Sequence, residues 1–305
     1  MKHDWFKGVV VPLVTPLTAS EELDEPAMRK IVQRQLDAGV DVLFVLGSAG
    51  EGPMLDSKTQ RRVVTVVTEA VEGRVPVLAG VTDNSVALVL NRLEDLAEMG
   101  VKAGVCTLPY YGWYESPAAE IEFFATLAEK SPVPLIPYNL PRVVKVSIKP
   151  ETIRDLYGHP NIAGLKDTNT DLTAMEGIAG DPARPPDFRY LPGNSSLAFQ
   201  LLQAGADGFV TAPANVMPEI AVGIYRHYRQ GRSHLAKSLG ECLAKLNETG
   251  KCPTTPGGLK VALELQGVCS RRTVRPWPQA DSEDERKVRG ILTAVQEMYA
   301  PLASV

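Results

Sequence analysis

Eight short apolar runs spread over residues 9–211 constrain the fold more than any other feature of this chain. They are Val9–Val14, Val42–Leu46, Val75–Gly80, Ala103–Leu108, Val133–Tyr138, Ile162–Lys166, Phe188–Pro192 and Gly208–Thr211. Each is mostly apolar and lacks polar–apolar alternation, as expected of parallel strands covered on both faces. The stretches between them read as amphipathic helices. Glu25–Ala38, Ser57–Glu72, Asn84–Met99 and Ser195–Ala204 are each followed by a glycine (Gly39, Gly73, Gly100 and Gly205), the residue that commonly ends a helix. Ser116-Pro117 opens another helix with a capping hydroxyl and a proline at the first helical position. A strand–helix unit repeated eight times predicts an α/β fold, the (β/α)8 TIM barrel. An open doubly wound sheet is the competitor, but no Gly-x-Gly-x-x-Gly follows the first strand and no phosphate-loop motif occurs.

The strand signal ends near residue 225. Ala236–Leu246, Gly257–Leu265 and Ser282–Tyr299 read as helices, and the proline-containing loop Arg271–Gln279 separates the last two. We therefore expect a catalytic barrel over residues 1–225 and a C-terminal helical extension over residues 226–305. The length of 305 residues suits one barrel of about 250 residues with an addition.

Composition excludes several classes of function. A formal net charge of −4 gives no electrostatic footprint for nucleic acid. No apolar run approaches the ~18 residues of a membrane span, and Met1–Lys7 lacks the apolar centre of a signal peptide. A cytoplasmic location is expected. Cys106, Cys242, Cys252 and Cys269 lie far apart, as free thiols in a reducing compartment would. His3, His159, His227 and His234 show no metal-ligand spacing, so no metal is expected.

The sixth run ends in a lysine: Ile162-Ala163-Gly164-Leu165-Lys166, followed at once by Asp167-Thr168-Asn169-Thr170-Asp171. An ammonium at the end of a buried strand is costly to desolvate, and shedding its proton relieves that cost. A neutral amine is a nucleophile toward carbonyl carbon, which points to Schiff-base chemistry. The bland alternative is a lysine that snorkels out to solvent.

In a barrel of this kind the active site lies at the C-terminal ends of the strands, and other chemistry-bearing residues fall there too. Gly47-Ser48-Ala49-Gly50-Glu51 follows the second strand, a turn able to offer backbone N–H groups and a hydroxyl to an anion. Pro109-Tyr110-Tyr111-Gly112-Trp113-Tyr114 follows the fourth, placing aromatics at a pocket wall or a subunit contact. The fifth ends in Tyr138-Asn139-Leu140-Pro141, whose phenol is either a satisfied core hydroxyl or a proton shuttle. Gly193-Asn194-Ser195-Ser196 follows the seventh and leads into a helix whose N-terminus can hold a carboxylate.

In this order the motifs resemble the dihydrodipicolinate synthase / N-acetylneuraminate lyase family of class I aldolases and lyases. The resemblance runs from the Gly8–Pro16 segment to the C-terminal helices. It implies that Lys166 forms an imine with the keto carbon of pyruvate or another small 2-oxo acid. It makes Tyr138 the group that moves protons at the attacking or leaving oxygen, and Ser48 the hydroxyl of a proton relay. Tyr111 matches the relay tyrosine that reaches a neighbouring subunit's site, which implies a homo-oligomer, dimer or tetramer. Ala49, Thr168, Gly193, Val210 and Arg142 form the expected substrate-binding set, and no separate cofactor is needed.

The chain also departs from the family pattern. Ala49 stands where many members carry a threonine, removing one hydrogen bond to the substrate carboxylate. Val143 stands where synthases of the lysine precursor carry an arginine, with Arg142 one residue earlier. Ser195 and Ser196 replace the acidic residues of the sialic acid lyases, whereas Thr168 resembles the sugar-acid branch. The reading is a Schiff-base-forming lyase, aldolase or dehydratase acting on a small 2-oxo acid, including 2-keto-3-deoxy sugar acids. The alternatives are a true dihydrodipicolinate synthase condensing pyruvate with aspartate semialdehyde, and a non-catalytic 2-oxo acid binder.

Overall fold

A computed structural model describes residues 2–111 and 116–303. Eight parallel strands form one sheet: β1 (Gly8–Pro12), β2 (Val42–Val45), β3 (Val77–Gly80), β4 (Ala103–Thr107), β5 (Leu135–Asn139), β6 (Gly164–Asp167), β7 (Arg189–Pro192) and β8 (Gly208–Val210). Each strand pairs with the next from β1 to β7, and β1 also pairs with β8. The remaining seam, between β7 and β8, is carried by Asp207. Its N–H donates to the Tyr190 carbonyl, and its carboxylate accepts from the Tyr190 N–H and from Arg184 and Arg189. The sheet is therefore a nearly closed (β/α)8 barrel, as the eight apolar runs predict.

The helices are α1 (Glu25–Ala38), α2 (Ser57–Val71), α3 (Val86–Ala97), α4 (Pro117–Lys130), α5 (Pro141–Val144), α6 (Pro150–Asp155), α7 (Leu172–Ala179), α8 (Ala198–Gln203), α9 (Pro218–Arg229), α10 (Ser233–Leu246), α11 (Thr255–Leu265) and α12 (Ser282–Tyr299). Short polar side chains set many of their starts. Asp24, Asp56, Ser85, Ser116 and Asp171 each accept a backbone N–H from the first turn of α1, α2, α3, α4 and α7. The third helix thus begins at Val86 instead of Asn84, because Ser85 takes the cap. The segment expected as one helix over Ser195–Ala204 is a 3-10 turn, Ser195–Leu197, followed by α8. Three short helices, α5, α6 and α7, lack a strong enough periodic signal to be read from sequence.

Strand residues alternate between two cores, which is why no polar alternation is visible. Val10, Val42, Phe44, Leu78, Val105, Ile136 and Tyr138 fill the barrel interior, whereas Val9, Val11, Leu43, Val45 and Leu165 pack outward against the helices. Each fully buried aliphatic side chain contributes roughly 1.5–3 kcal/mol to this packing. The C-terminal helices share the outer core: Leu243, Leu259, Val261, Val288 and Val295 belong to the same apolar cluster as the barrel's helix layer. Helix α9 runs through residue 225, so the eighth helix of the barrel ends at Arg229. Among the described residues no helix is long and apolar enough to cross a membrane.

Candidate active site

The parallel register pairs Tyr138 of β5 with Lys166 of β6, so the two side chains leave adjacent strands on the same face. That face is the barrel interior. Lys166 Nζ lies 3.7 Å from the centre of the Tyr138 ring and 4.5 Å from that of Phe44. Lys166 is 5% exposed, and no acidic side chain among the described residues pairs with it. Burial alone pushes its amine down to about 7. A lysine whose burial disfavours the ammonium is in the state that a carbonyl nucleophile requires.

Tyr138 is 6% exposed, and desolvation pushes its phenol up to about 12. Two hydroxyls oppose that rise: Thr168 Oγ1 donates to Tyr138 Oη at 3.2 Å, and the Ser48 hydroxyl acts in the same direction. Ser48, Tyr138 and Thr168 therefore meet around one oxygen, although they come from the ends of three strands. Gly193 admits this arrangement. A Cβ there would lie 2.2 Å from Thr168 Oγ1, so only glycine leaves that hydroxyl in place.

The turn after β2 packs tightly on the interior. A Cβ at Gly47 would lie 2.6 Å from the Phe44 ring, the ring over which Lys166 sits. Thr15 Oγ1 donates to the Gly50 carbonyl at 2.7 Å. The N–H groups of Ser48 and Ala49 donate to no acceptor among the described residues. They remain available to a carboxylate, as two adjacent backbone donors in a turn.

Above these groups opens a cleft of about 330 Å³. Its lining takes in Phe44, Ser48, Thr82, Thr107 and Tyr138 at one part of the wall, and Met54, Tyr110, Leu140, Val143, Val144 and Trp277 at another. Thr107 Oγ1 donates to the Leu108 carbonyl at 2.8 Å and lies 3.3 Å from Thr82 Oγ1. Lys166 lies behind this lining, against Phe44 and Tyr138. Val210 is buried in the interior cluster.

Two expected residues stand elsewhere. Arg142 is exposed and absent from the cleft wall, which takes its neighbour Val143. Tyr111 is 83% exposed and is not part of this chain's cleft wall, while its N–H and that of Tyr110 donate to Asn84 Oδ1. The rest of the aromatic loop, Gly112, Trp113 and Tyr114, lies outside the described residues.

Three groups escaped the sequence reading. Asp167 is fully buried and accepts from Tyr190 Oη, Asn139 Nδ2 and the Asn169 N–H, which ties β5, β6 and β7 together beside Lys166. Its carboxyl is pushed up to about 6 by desolvation, against these three hydrogen bonds. Glu51 and Lys260 form a second buried pair, and Trp277 reaches the cleft from the C-terminal segment. The bare charge of Lys260 within the apolar stretch of α11 was the available sequence signal. Among the described residues no group of His, Cys, Asp or Glu is arranged to hold a metal ion.

Residues 5–295 match the dihydrodipicolinate synthetase family. The chain belongs to that family. A 4-hydroxy-tetrahydrodipicolinate synthase of Methanopyrus kandleri is 32% identical over 290 residues, covering 93% of this chain and 94% of that protein. Among solved structures, a prophage protein of the dihydrodipicolinic acid synthase family from E. coli K12, in complex with pyruvate, superposes with a TM-score of 0.89. It is 26% identical, covering 95% of this chain and 99% of that one. A monomeric dihydrodipicolinate synthase variant gives a TM-score of 0.91 at 26% identity, covering 96% and 98%. Family membership makes this chain a lyase of the class I aldolase type, working through a lysine Schiff base.

Proposed function

We propose that Lys166 is the lysine that forms the imine and that the carbonyl substrate is pyruvate or another small 2-oxo acid. The observation that carries this reading is a buried Lys166 amine with no charge partner among the described residues, set against Tyr138 at the strand ends. The 2-oxo acid's carboxylate lies on the Ser48 and Ala49 N–H groups. The neutral amine adds to C2 and water leaves, giving an iminium that withdraws electrons from C3. Loss of a proton or of a carbon substituent from C3 then passes through an enamine. Tyr138, hydrogen-bonded by Thr168 and facing Ser48, gives and takes protons at the substrate oxygen. Thr168, Gly193 and Val210 shape the space around that oxygen.

The working unit is a homo-oligomer in which Tyr111 serves a neighbouring subunit's site, in keeping with its 83% exposure. Four buried, unpaired thiols suit a reducing compartment, and we place the enzyme in the cytoplasm. Condensation of pyruvate with aspartate semialdehyde is the second reading, favoured by the names of relatives such as the M. kandleri protein. Val143 in the cleft wall weighs against it, because the arginine that would pair with the semialdehyde carboxylate is absent there.

Borohydride trapping tests the reading across a panel of 2-oxo acids, with peptide mass spectrometry as the readout. The expected result is a reduced adduct on Lys166 with pyruvate or the preferred 2-oxo acid, lost in Lys166→Ala. An adduct on a different lysine sinks the assignment.

A further inference from the structure

We propose that the second reactant of this site is an aldehyde with an uncharged, apolar side chain. The inference rests on the imine chemistry assigned above and adds the chemical class of the partner that the enamine attacks or releases.

The cleft wall beyond Tyr138 is built from Met54, Leu140, Val143, Val144 and Trp277. Leu140 and Val144 are buried, whereas Val143 is 57% exposed, an apolar side chain held at the mouth with nothing among the described residues to cover it. Glu51 is the one charged residue of the described lining, and its charge is already engaged. One oxygen accepts from Lys260 at 2.5 Å and the other from the Val274 N–H at 2.6 Å. An aldehyde with a carboxylate at its far end would shed water here and gain no cation. An apolar group would remove its own surface and that of Val143 and Trp277 from water together.

Trp277 is held in place for this role from outside the barrel. Its backbone N–H donates to the Val274 carbonyl at 3.1 Å, the Val274 N–H donates to Glu51, and Lys260 donates to the Arg272 carbonyl at 2.7 Å. The loop that carries the indole is thus fixed to the same turn that carries Ser48.

The step balances without a redox partner. The C3 carbon of the enamine bonds to the aldehyde carbon, and the aldehyde oxygen takes a proton from Tyr138. Water then hydrolyses the imine, which releases a 4-hydroxy-2-oxo acid and restores the Lys166 amine. The reverse sequence cleaves the same bond and returns pyruvate and the aldehyde.

The test uses the whole protein with saturating pyruvate and four aldehydes: benzaldehyde, hexanal, succinate semialdehyde and aspartate semialdehyde. Wild-type kcat/KM should be about tenfold or more higher for the two apolar aldehydes. Trp277→Ala should lower kcat/KM for benzaldehyde about tenfold, mainly through KM. Val143→Arg should shift the preference toward the two charged aldehydes. Preference of the wild type for a charged aldehyde, or no turnover of either apolar one, overturns this inference alone if borohydride still traps pyruvate on Lys166. Absence of any adduct on Lys166 brings down the imine assignment, and this inference with it.

Discussion

Lys260 Nζ lies 2.5 Å from Glu51 Oε1, and neither side chain is exposed to solvent. The pair joins α11 of the C-terminal extension to the turn that presents Ser48 and Ala49, across 209 residues of sequence. Both partners are further satisfied, Lys260 by the Arg272 carbonyl and Glu51 by the Val274 N–H. Two lysines are therefore buried near one site in opposite conditions. Lys260 keeps a counter-ion, whereas Lys166 has none among the described residues. A buried lysine with a full set of partners is a structural fastener, and one without them is poised to lose its proton.

Removing one member of the fastener should be expensive. Lys260→Met leaves Glu51 buried without its cation and is expected to destabilise the fold by about 3–5 kcal/mol, read by urea unfolding. Adding Glu51→Gln removes the stranded charge and should recover part of that loss. Additive losses in the double variant would show that the two side chains do not act as a pair.

The Lys166 amine, pushed down to about 7 by burial, sets a pH dependence. Imine formation needs the neutral amine, so kcat/KM for the 2-oxo acid should rise as pH passes about 7 and level off above it. Stability follows the same group with a definite sign. In the unfolded chain a lysine keeps its proton up to ~10.4, so between about 7 and that value the unfolded state binds more protons and stability rises with pH. Lys166→Met should remove both the activity and this slope, while raising stability near pH 7. An unchanged slope in the variant would mean that Lys166 is solvated.

Tyr138→Phe keeps the ring over Lys166 and removes the hydroxyl. The fold should survive and turnover should fall by ~10²-fold or more, the scale of one acid–base group. Thr168→Val removes the donor to Tyr138 Oη, which opposes the rise in the phenol's pKa. It should therefore move any basic limb of the pH profile that belongs to Tyr138 further upward. Near-wild-type turnover in Tyr138→Phe would show that this residue only packs.

Tyr111 is exposed and absent from its own chain's cleft wall, so its contribution should appear between chains. Tyr111→Phe should slow turnover without dissolving the assembly. Mixing it with Lys166→Ala under conditions of subunit exchange should restore part of the activity, because a hybrid dimer contains one site with both native residues. A fully active monomer in analytical ultracentrifugation would rule the arrangement out.

The sequence by itself determined the layout. Eight mostly apolar runs without polar alternation read as strands covered on both faces, Ser116-Pro117 marked the start of one helix, and Gly39, Gly73, Gly100 and Gly205 marked the ends of others. The lysine closing the sixth run and the Gly47–Glu51 turn were legible for the same reason: position along a strand or at its end is a local property. Tertiary structure decided which charges keep partners and which surfaces meet. It set Lys166 against Phe44 and Tyr138 with no acidic side chain among the described residues paired to it, and it matched Lys260 to Glu51. It turned Val143 rather than Arg142 toward the cleft, and it carried Trp277 from the C-terminal segment to the barrel mouth. None of these follows from periodicity, because the protonation state of a buried group and the lining of a cleft depend on distances between segments that the chain's local pattern does not encode.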